Sequence, residues 1–193
     1  MPMSGTRRPN RAEARQASGS GLPPALGAVP TPLQTPSPAC ERRLSLSVQT
    51  GDSAGVWPVD RSQLRRWVRA ALQDDAELTL RLVGRREGRA LNLTWRGKDY
   101  ATNVLTFAYG GAPLQADIVL CLPVLKSEAR AQRKSLRAHL AHLVMHGVLH
   151  AQGHDHETDA EARRMEALET RLLARFRIAD PYALVHTPGS ATP

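Results

Sequence analysis

A chain of 193 residues and 21.1 kDa has room for one domain and a tail, not for two full-sized domains. Its 41% apolar content supplies a core, two cysteines exclude a disulfide-stapled scaffold or a Cys-only zinc site, and no apolar run approaches the ~20 residues of a membrane span. The net charge is +8, carried almost entirely by arginine, and six of the seven histidines fall between His139 and His156.

Residues 1–40 contain eight Pro and four Gly, show no apolar periodicity and carry no apolar stretch of the secretory kind. They read as a disordered Pro/Gly/Arg-rich leader; 183–193 reads as a frayed tail, and 42–182 as the folded domain. RRLSLSVQT alternates as a strand does, with Leu44, Leu46 and Val48 on one face. Asp60 is placed to cap a helix whose stripe is Leu64, Trp67, Val68 and Leu72. ELTLRLV is a second strand, REGRALNLTWRGKD a short helix ending at Arg96–Gly97, TNVLTFAY a β-forming run and ADIVLCL a buried strand. Pro123 opens a further helix, a long one follows over about Leu136–Gln152, and the last runs from Asp159 to Phe176. The order βαβαββααα predicts an α+β domain: one mixed β-sheet packed with helices, its central helix carrying the histidines. Trp67 and Trp95 are both expected in the core.

On a helix, His139, His142, His146 and His150 share one face. His146 and His150, at i and i+4, can present imidazoles to one metal ion. Gly153 lets the chain turn back, so that His156 becomes a third ligand in an H-x3-H-x5-H pattern. Three imidazoles with one open position describe a catalytic zinc site, one ion per chain. His154 competes less well, lying one residue past the turn. Asp155 is expected to orient an imidazole or the turn, and His139 and His142 to line the approach or to pack. One class of zinc peptidases shares this spacing but carries Glu directly after the first His as general base; here that position is Gly147, which argues against proteolysis.

These residues resemble the signature of the YbeY family, bacterial zinc-dependent endoribonucleases. Three further segments carry the resemblance: NLTWRGKDYATNVLTF from Asn92 to Phe107, ADIVLC from Ala116 to Cys121, and the ending with Met165-Glu166-Ala167-Leu168-Glu169 and Asp180-Pro181-Tyr182. Ala151, His154, Thr106, Ala108 and Ala116 depart from the family pattern without removing a proposed ligand. The resemblance implies single-strand-specific hydrolysis of RNA phosphodiesters, a role in 16S rRNA 3′-end maturation and ribosome quality control, and the small ribosomal subunit as partner. No DNA or membrane partner is expected. It also implies that Arg96 grips the phosphate, where a guanidinium matches two phosphoryl oxygens; the bland alternative is a salt bridge to Asp99. Asp155, His142 or bulk water are the proton acceptors at hand, and the nucleophile is either water or the RNA's own 2′-OH. Residues 60–137 carry a charge of +7. Within them Arg65, Arg66, Arg69, Arg81, Arg85, Arg86, Arg89 and Lys98 are candidates to follow a phosphate backbone. Two free cysteines and no signal sequence point to the cytoplasm. The competing readings are a zinc peptidase-like hydrolase and a non-catalytic, ribosome-associated RNA-binding factor.

Overall fold

The computed structural model describes residues 42–154 and 158–183. The leader 1–40, the tail from residue 184, and both Asp155 and His156 lie outside the described residues. The elements follow the βαβαββααα order: β1 (Leu44–Thr50), α1 (Arg61–Ala71), β2 (Ala76–Val83), α2 (Arg85–Arg96), β3 (Val104–Gly110), β4 (Leu114–Cys121), α3 (Leu122–Ala131), α4 (Leu136–Ala151) and α5 (Asp159–Ala174).

One mixed sheet in the order β1-β2-β4-β3 organises them. β1, β2 and β4 run parallel, with Leu44 opposite Ala76 and Ala76 opposite Leu114. β3 returns antiparallel along β4, Val104 facing Leu120. Strand side chains alternate between faces, so each strand supplies two different surfaces. Leu44 and Leu46, then Leu78, Leu80 and Leu82, then Ile118 and Leu120 face the larger core, shared with α1, α4 and α5. Val83, Leu105, Val119 and Cys121 point the other way, under Leu91 of α2 and Val124 of α3. Hence α1 and α4 cover one face of the sheet and α2 part of the opposite face.

Local chemistry sets the boundaries. The Asp60 carboxylate accepts the Gln63 amide at 2.7 Å and starts α1. Gly97, at φ +66°, ends α2 in the left-handed conformation that glycine adopts without a Cβ penalty. Thr158 and Glu161 form a reciprocal capping box on α5. Ten of the 16 residues of α4 are buried, including Leu140, Val144, Met145, Val148 and Leu149. A helix enclosed on nearly every side loses its amphipathic stripe, and α4 is held by both the sheet and its neighbouring helices.

The two tryptophans part company. Trp67 is fully buried on α1, as expected, but Trp95 is 66% exposed. Its place in the last turn of α2 carries the ring to the edge strand β3, where it meets Phe107 edge-on with ring centroids 5.6 Å apart. Helical spacing identifies the stripe it belongs to; the end of the supporting sheet decides that it stays outside.

Candidate metal centre

Helix α4 is placed against the sheet by a glycine. A Cβ on Gly147 would lie 2.8 Å from Ile118 Cγ2 and 3.2 Å from Thr106 Oγ1, so the helix backbone seats directly on β4 and β3. This is the position at which a peptidase of similar spacing carries its glutamate, and here no side chain fits without displacing core atoms. Ser135 caps the start of α4, its Oγ accepting the Ala138 amide at 3.1 Å. At the other end Gly153, at φ +82°, turns the chain, with the His154 amide donating back to Leu149 O at 3.1 Å.

His142 and His146 project toward α5. His146 and His150, one turn apart, have ring centroids 4.4 Å apart. His146 Nδ1 donates to Glu169 Oε1 at 2.8 Å, while His142 Nε2 donates to Glu169 Oε2 at 3.0 Å. The Tyr182 hydroxyl donates to that same Oε2. Glu169 itself is fully buried. Desolvation pushes its carboxyl up, but hydrogen bonds from His142 and His146 outweigh it and hold the pKa down at about 2. Burial, then the neighbouring carboxylate, pushes the Tyr182 hydroxyl well above its ordinary range, so it remains a donor. Ligand atoms of His142, His146 and Glu169 all lie within 4.8 Å of one another, which makes the cluster a candidate metal site of two histidines and a glutamate.

The other expected site residues fall in several places. His139 is buried and its Nε2 donates to Glu128 at 2.8 Å, so it packs rather than lining an approach. Glu128 also accepts from Asn103 Nδ2, at 3.2 and 3.1 Å, and thereby ties the start of β3 to α3. His154 Nε2 accepts from Gln73 Nε2 at 2.7 Å, toward the end of α1. Arg96 is exposed at the C-terminus of α2. Asp99, its expected salt-bridge partner, is instead gripped by Arg89 through two bonds of 2.6 Å, and Arg96 has no ion pair among the described residues.

The basic residues do not lie on one surface. Arg65, Arg66 and Arg69 belong to α1, and Arg85, Arg86 and Arg89 to α2, on opposite faces of the sheet. Arg65 Nη2 donates to Leu44 O at 2.9 Å, the Arg66 guanidinium sits 5.8 Å from the Phe176 ring centroid, and Arg81 pairs with Glu87 at 2.7 Å. Lys98 is exposed just beyond α2.

Sequence reasoning passed over Glu169, Tyr182 and Glu128 as participants. The first two were visible as parts of the M-E-x-L-E and D-P-Y segments. The signal for Glu169 was an acid on the apolar stripe of α5, between Met165 and Leu172, where an unpaired charge would be costly.

A four-stranded α+β domain in which two histidines of the buried central helix meet a carboxylate of α5 has the build of a hydrolase with a candidate metal site. The family model described as endoribonuclease YbeY matches residues 53–177, and the chain belongs to that family. Endoribonuclease YbeY of Cupriavidus pinatubonensis (strain JMP 134 / LMG 1197) is 54% identical over 169 residues, 85% of this chain and 84% of the relative. The protein of the same name from Bordetella pertussis (strain Tohama I / ATCC BAA-589 / NCTC 13251) is 57% identical over 152 residues, 72% of this chain and 96% of the relative. A solution structure from Thermotoga maritima aligns at a TM-score of 0.47 with 20% identity, over 77% of this chain and 99% of that one. Among the described residues no helix is long and apolar enough to cross a membrane.

Proposed function

We propose that this protein is a zinc-dependent endoribonuclease that hydrolyses phosphodiesters of single-stranded RNA, with one zinc per chain on His146, His150 and His156. The observation that carries this reading is the 2.8 Å bond from His146 Nδ1 to the buried Glu169 carboxylate. It fixes the tautomer that leaves the lone pair on Nε2, and a carboxylate behind a histidine is the usual orienting partner of a metal ligand. With the neighbouring His150 ring, and with His156 as third ligand on the strength of the H-x3-H-x5-H spacing, the donor set suits zinc. In this reading Glu169 orients and does not ligate, because His146, His142 and Tyr182 already occupy its two oxygens. Zinc so held supplies an acidified water and a Lewis-acid charge beside the phosphoryl group.

The chain's own residues do the rest. Arg96, with no ion pair of its own among the described residues, grips phosphoryl oxygens, and its fork geometry favours the charge that builds in the transition state. Arg85, Arg86 and Lys98 extend the positive field along and beyond α2. His142 holds its Nε2 proton against Glu169 and so steadies the carboxylate, leaving Asp155 or bulk water to take up the proton released in the reaction. The chemistry suits 16S rRNA 3′-end maturation and ribosome quality control on the small subunit, in the cytoplasm. The relatives named endoribonuclease YbeY support the substrate class.

The test is cleavage of an end-labelled single-stranded RNA, with metal analysis on the same samples. Wild type cuts and chelation stops it, His146→Ala is inactive, and Arg96→Ala keeps its metal while kcat/KM falls at least 100-fold. Equal cutting by wild type and His146→Ala would overturn the proposal.

A further inference from the structure

A cavity lies on the face of the sheet turned away from α4. It holds ≈ 310 Å³, within the range of small-ligand sites, and none of His142, His146, His150 and Glu169 lines it. Val119, buried, and Phe107, half-buried, lie deepest. Trp95 of α2 and Tyr109 of β3 stand at the rim, 66% and 65% exposed. Two of the three exposed aromatic side chains among the described residues thus open on one cavity. The edge-on contact with Phe107 anchors the Trp95 indole, while most of its surface stays open to a flat partner.

The polar groups of the lining decide what kind of partner fits. Arg81 is already committed, its Nε donating to Glu87 Oε1 at 2.7 Å and its Nη1 to Gln49 Oε1 at 3.2 Å, so this pair neutralises itself. Asp117 is the remaining charge in the lining. Its Oδ2 accepts from the Tyr109 hydroxyl at 2.9 Å, and its Oδ1 accepts no hydrogen bond among the described residues. Aromatic walls, one carboxylate and no uncommitted cation reject a phosphate. They suit a flat, neutral ring that donates hydrogen bonds from its edge.

The cavity stands one strand away from the histidine-bearing helix. Phe107 of β3 turns into it, while its neighbour Thr106 turns to the other face, where its Oγ1 would lie 3.2 Å from a Cβ on Gly147, the residue after His146. β3 is the last strand of the sheet, so its outer edge has no partner strand among the described residues. Arg96, to which the proposed function gives the phosphate, follows Trp95 directly in the chain. A nucleic-acid strand that crosses the β3 edge can therefore leave a phosphate at Arg96 and a neighbouring base in the cavity.

We propose that this cavity receives an unpaired guanine of the RNA substrate, stacked on Trp95 and read at its edge by Asp117. The inference rests on the ribonuclease reading above and deepens it. Guanine offers N1–H and N2–H side by side, a match for the two oxygens of a carboxylate. Uracil offers a single N–H between two carbonyl oxygens, which a carboxylate repels. In a duplex that edge of guanine is occupied by its pairing partner, so a base held in this way is single-stranded. The cavity thereby gives the enzyme both a base preference and a reason to refuse duplex RNA.

The test titrates the full-length protein with guanosine 5′-monophosphate and with inosine 5′-monophosphate, the same ring without the 2-amino group. Affinity is read by calorimetry and stacking by tryptophan fluorescence, and KM and kcat are measured on single-stranded RNAs that carry guanine or inosine at matched positions. Guanosine monophosphate quenches wild-type fluorescence and binds about tenfold more tightly than the inosine analogue. Trp95→Ala weakens that binding and raises KM on guanine RNA by about tenfold, the loss falling in KM rather than kcat. Trp95→Phe restores affinity and KM but not the quench. Asp117→Asn keeps an acceptor for the Tyr109 hydroxyl and turns an amide toward the base, so the preference for guanine over inosine collapses. Equal affinity for the two nucleotides in wild type overturns the assignment of guanine. Trp95→Ala with a lower urea midpoint but unchanged nucleotide affinity and KM shows packing alone and overturns the site. Wild type that cuts RNA without binding guanosine monophosphate sinks the cavity and spares the ribonuclease reading. Wild type whose Trp95 is quenched by guanosine monophosphate, yet which leaves RNA intact, sinks that reading and keeps the nucleobase site.

Discussion

Replacing Gly147 by alanine isolates the contact that seats the histidine-bearing helix. The new Cβ would stand 2.8 Å from Ile118 Cγ2, 3.2 Å from Thr106 Oγ1 and 3.3 Å from Ile118 Cδ1. Ile118 is fully buried, and its strand is paired on both sides, to β2 and to β3. A β-branched side chain so placed has little rotamer freedom with which to yield. Overpacking of this kind costs about 1–3 kcal/mol. Exchanging glycine for alanine inside a helix returns roughly 1 kcal/mol. The steric term wins, and Gly147→Ala is expected to destabilise by about 1 kcal/mol, read as a lower urea midpoint at constant slope. In an Ile118→Ala background, which itself costs about 2–5 kcal/mol, the shortest contact is gone and only Thr106 Oγ1 at 3.2 Å must give slightly, so the same change becomes stabilising by up to about 1 kcal/mol. The double-mutant cycle should thus show a coupling of about 2 kcal/mol. Zero coupling, or stabilisation by Gly147→Ala in both backgrounds, would refute the close seating of α4 on β4.

Other outcomes follow from the cluster and the second core. Glu169→Gln keeps the shape but loses the charge that fixes the His146 ring, and zinc affinity measured by chelator competition should fall about 10- to 100-fold. In metal-free protein, Glu169 has a folded pKa of about 2 against an ordinary 4.5. Its contribution to stability, about 3 kcal/mol, is therefore fully present above pH ~4.5 and lost as pH falls toward 2. Urea midpoints measured across that interval should drop steeply for wild type and much less for Glu169→Gln. Burial pushes the Cys121 thiol pKa up, beyond the opposing influence of the Val124 amide and Arg85. Thiol reagents should label Cys121, located by peptide mapping, only at the rate of unfolding.

Much of this molecule is legible along the chain because its determinants are local. Strand alternation at Leu44–Val48, the Asp60 cap and the glycine stops at Gly97 and Gly153 act through neighbours a few residues away, so element order and boundaries follow from the sequence. The i, i+4 pair His146 and His150 is equally local, since helical geometry alone brings the two rings together. What spacing does not reveal is which charges meet across the fold. Glu169 stands 23 residues from His146 and Tyr182 stands 40 from His142, and only the packing of α5 and the segment after it against α4 joins them. Likewise, a run of arginines looks like one basic strip in sequence, yet strands alternate their faces and the connecting helices pack on both. Arg65 and Arg89 thus end up on opposite sides of the sheet.

Charge and histidine content determined by themselves that this small basic chain carries a metal-ligand pattern on a helix. The tertiary structure decided which carboxylate orients that pattern, that Gly147 has no room for a peptidase's glutamate, and that Trp95 stays outside the core. Each of these depends on contacts between residues distant in sequence, which periodicity cannot encode.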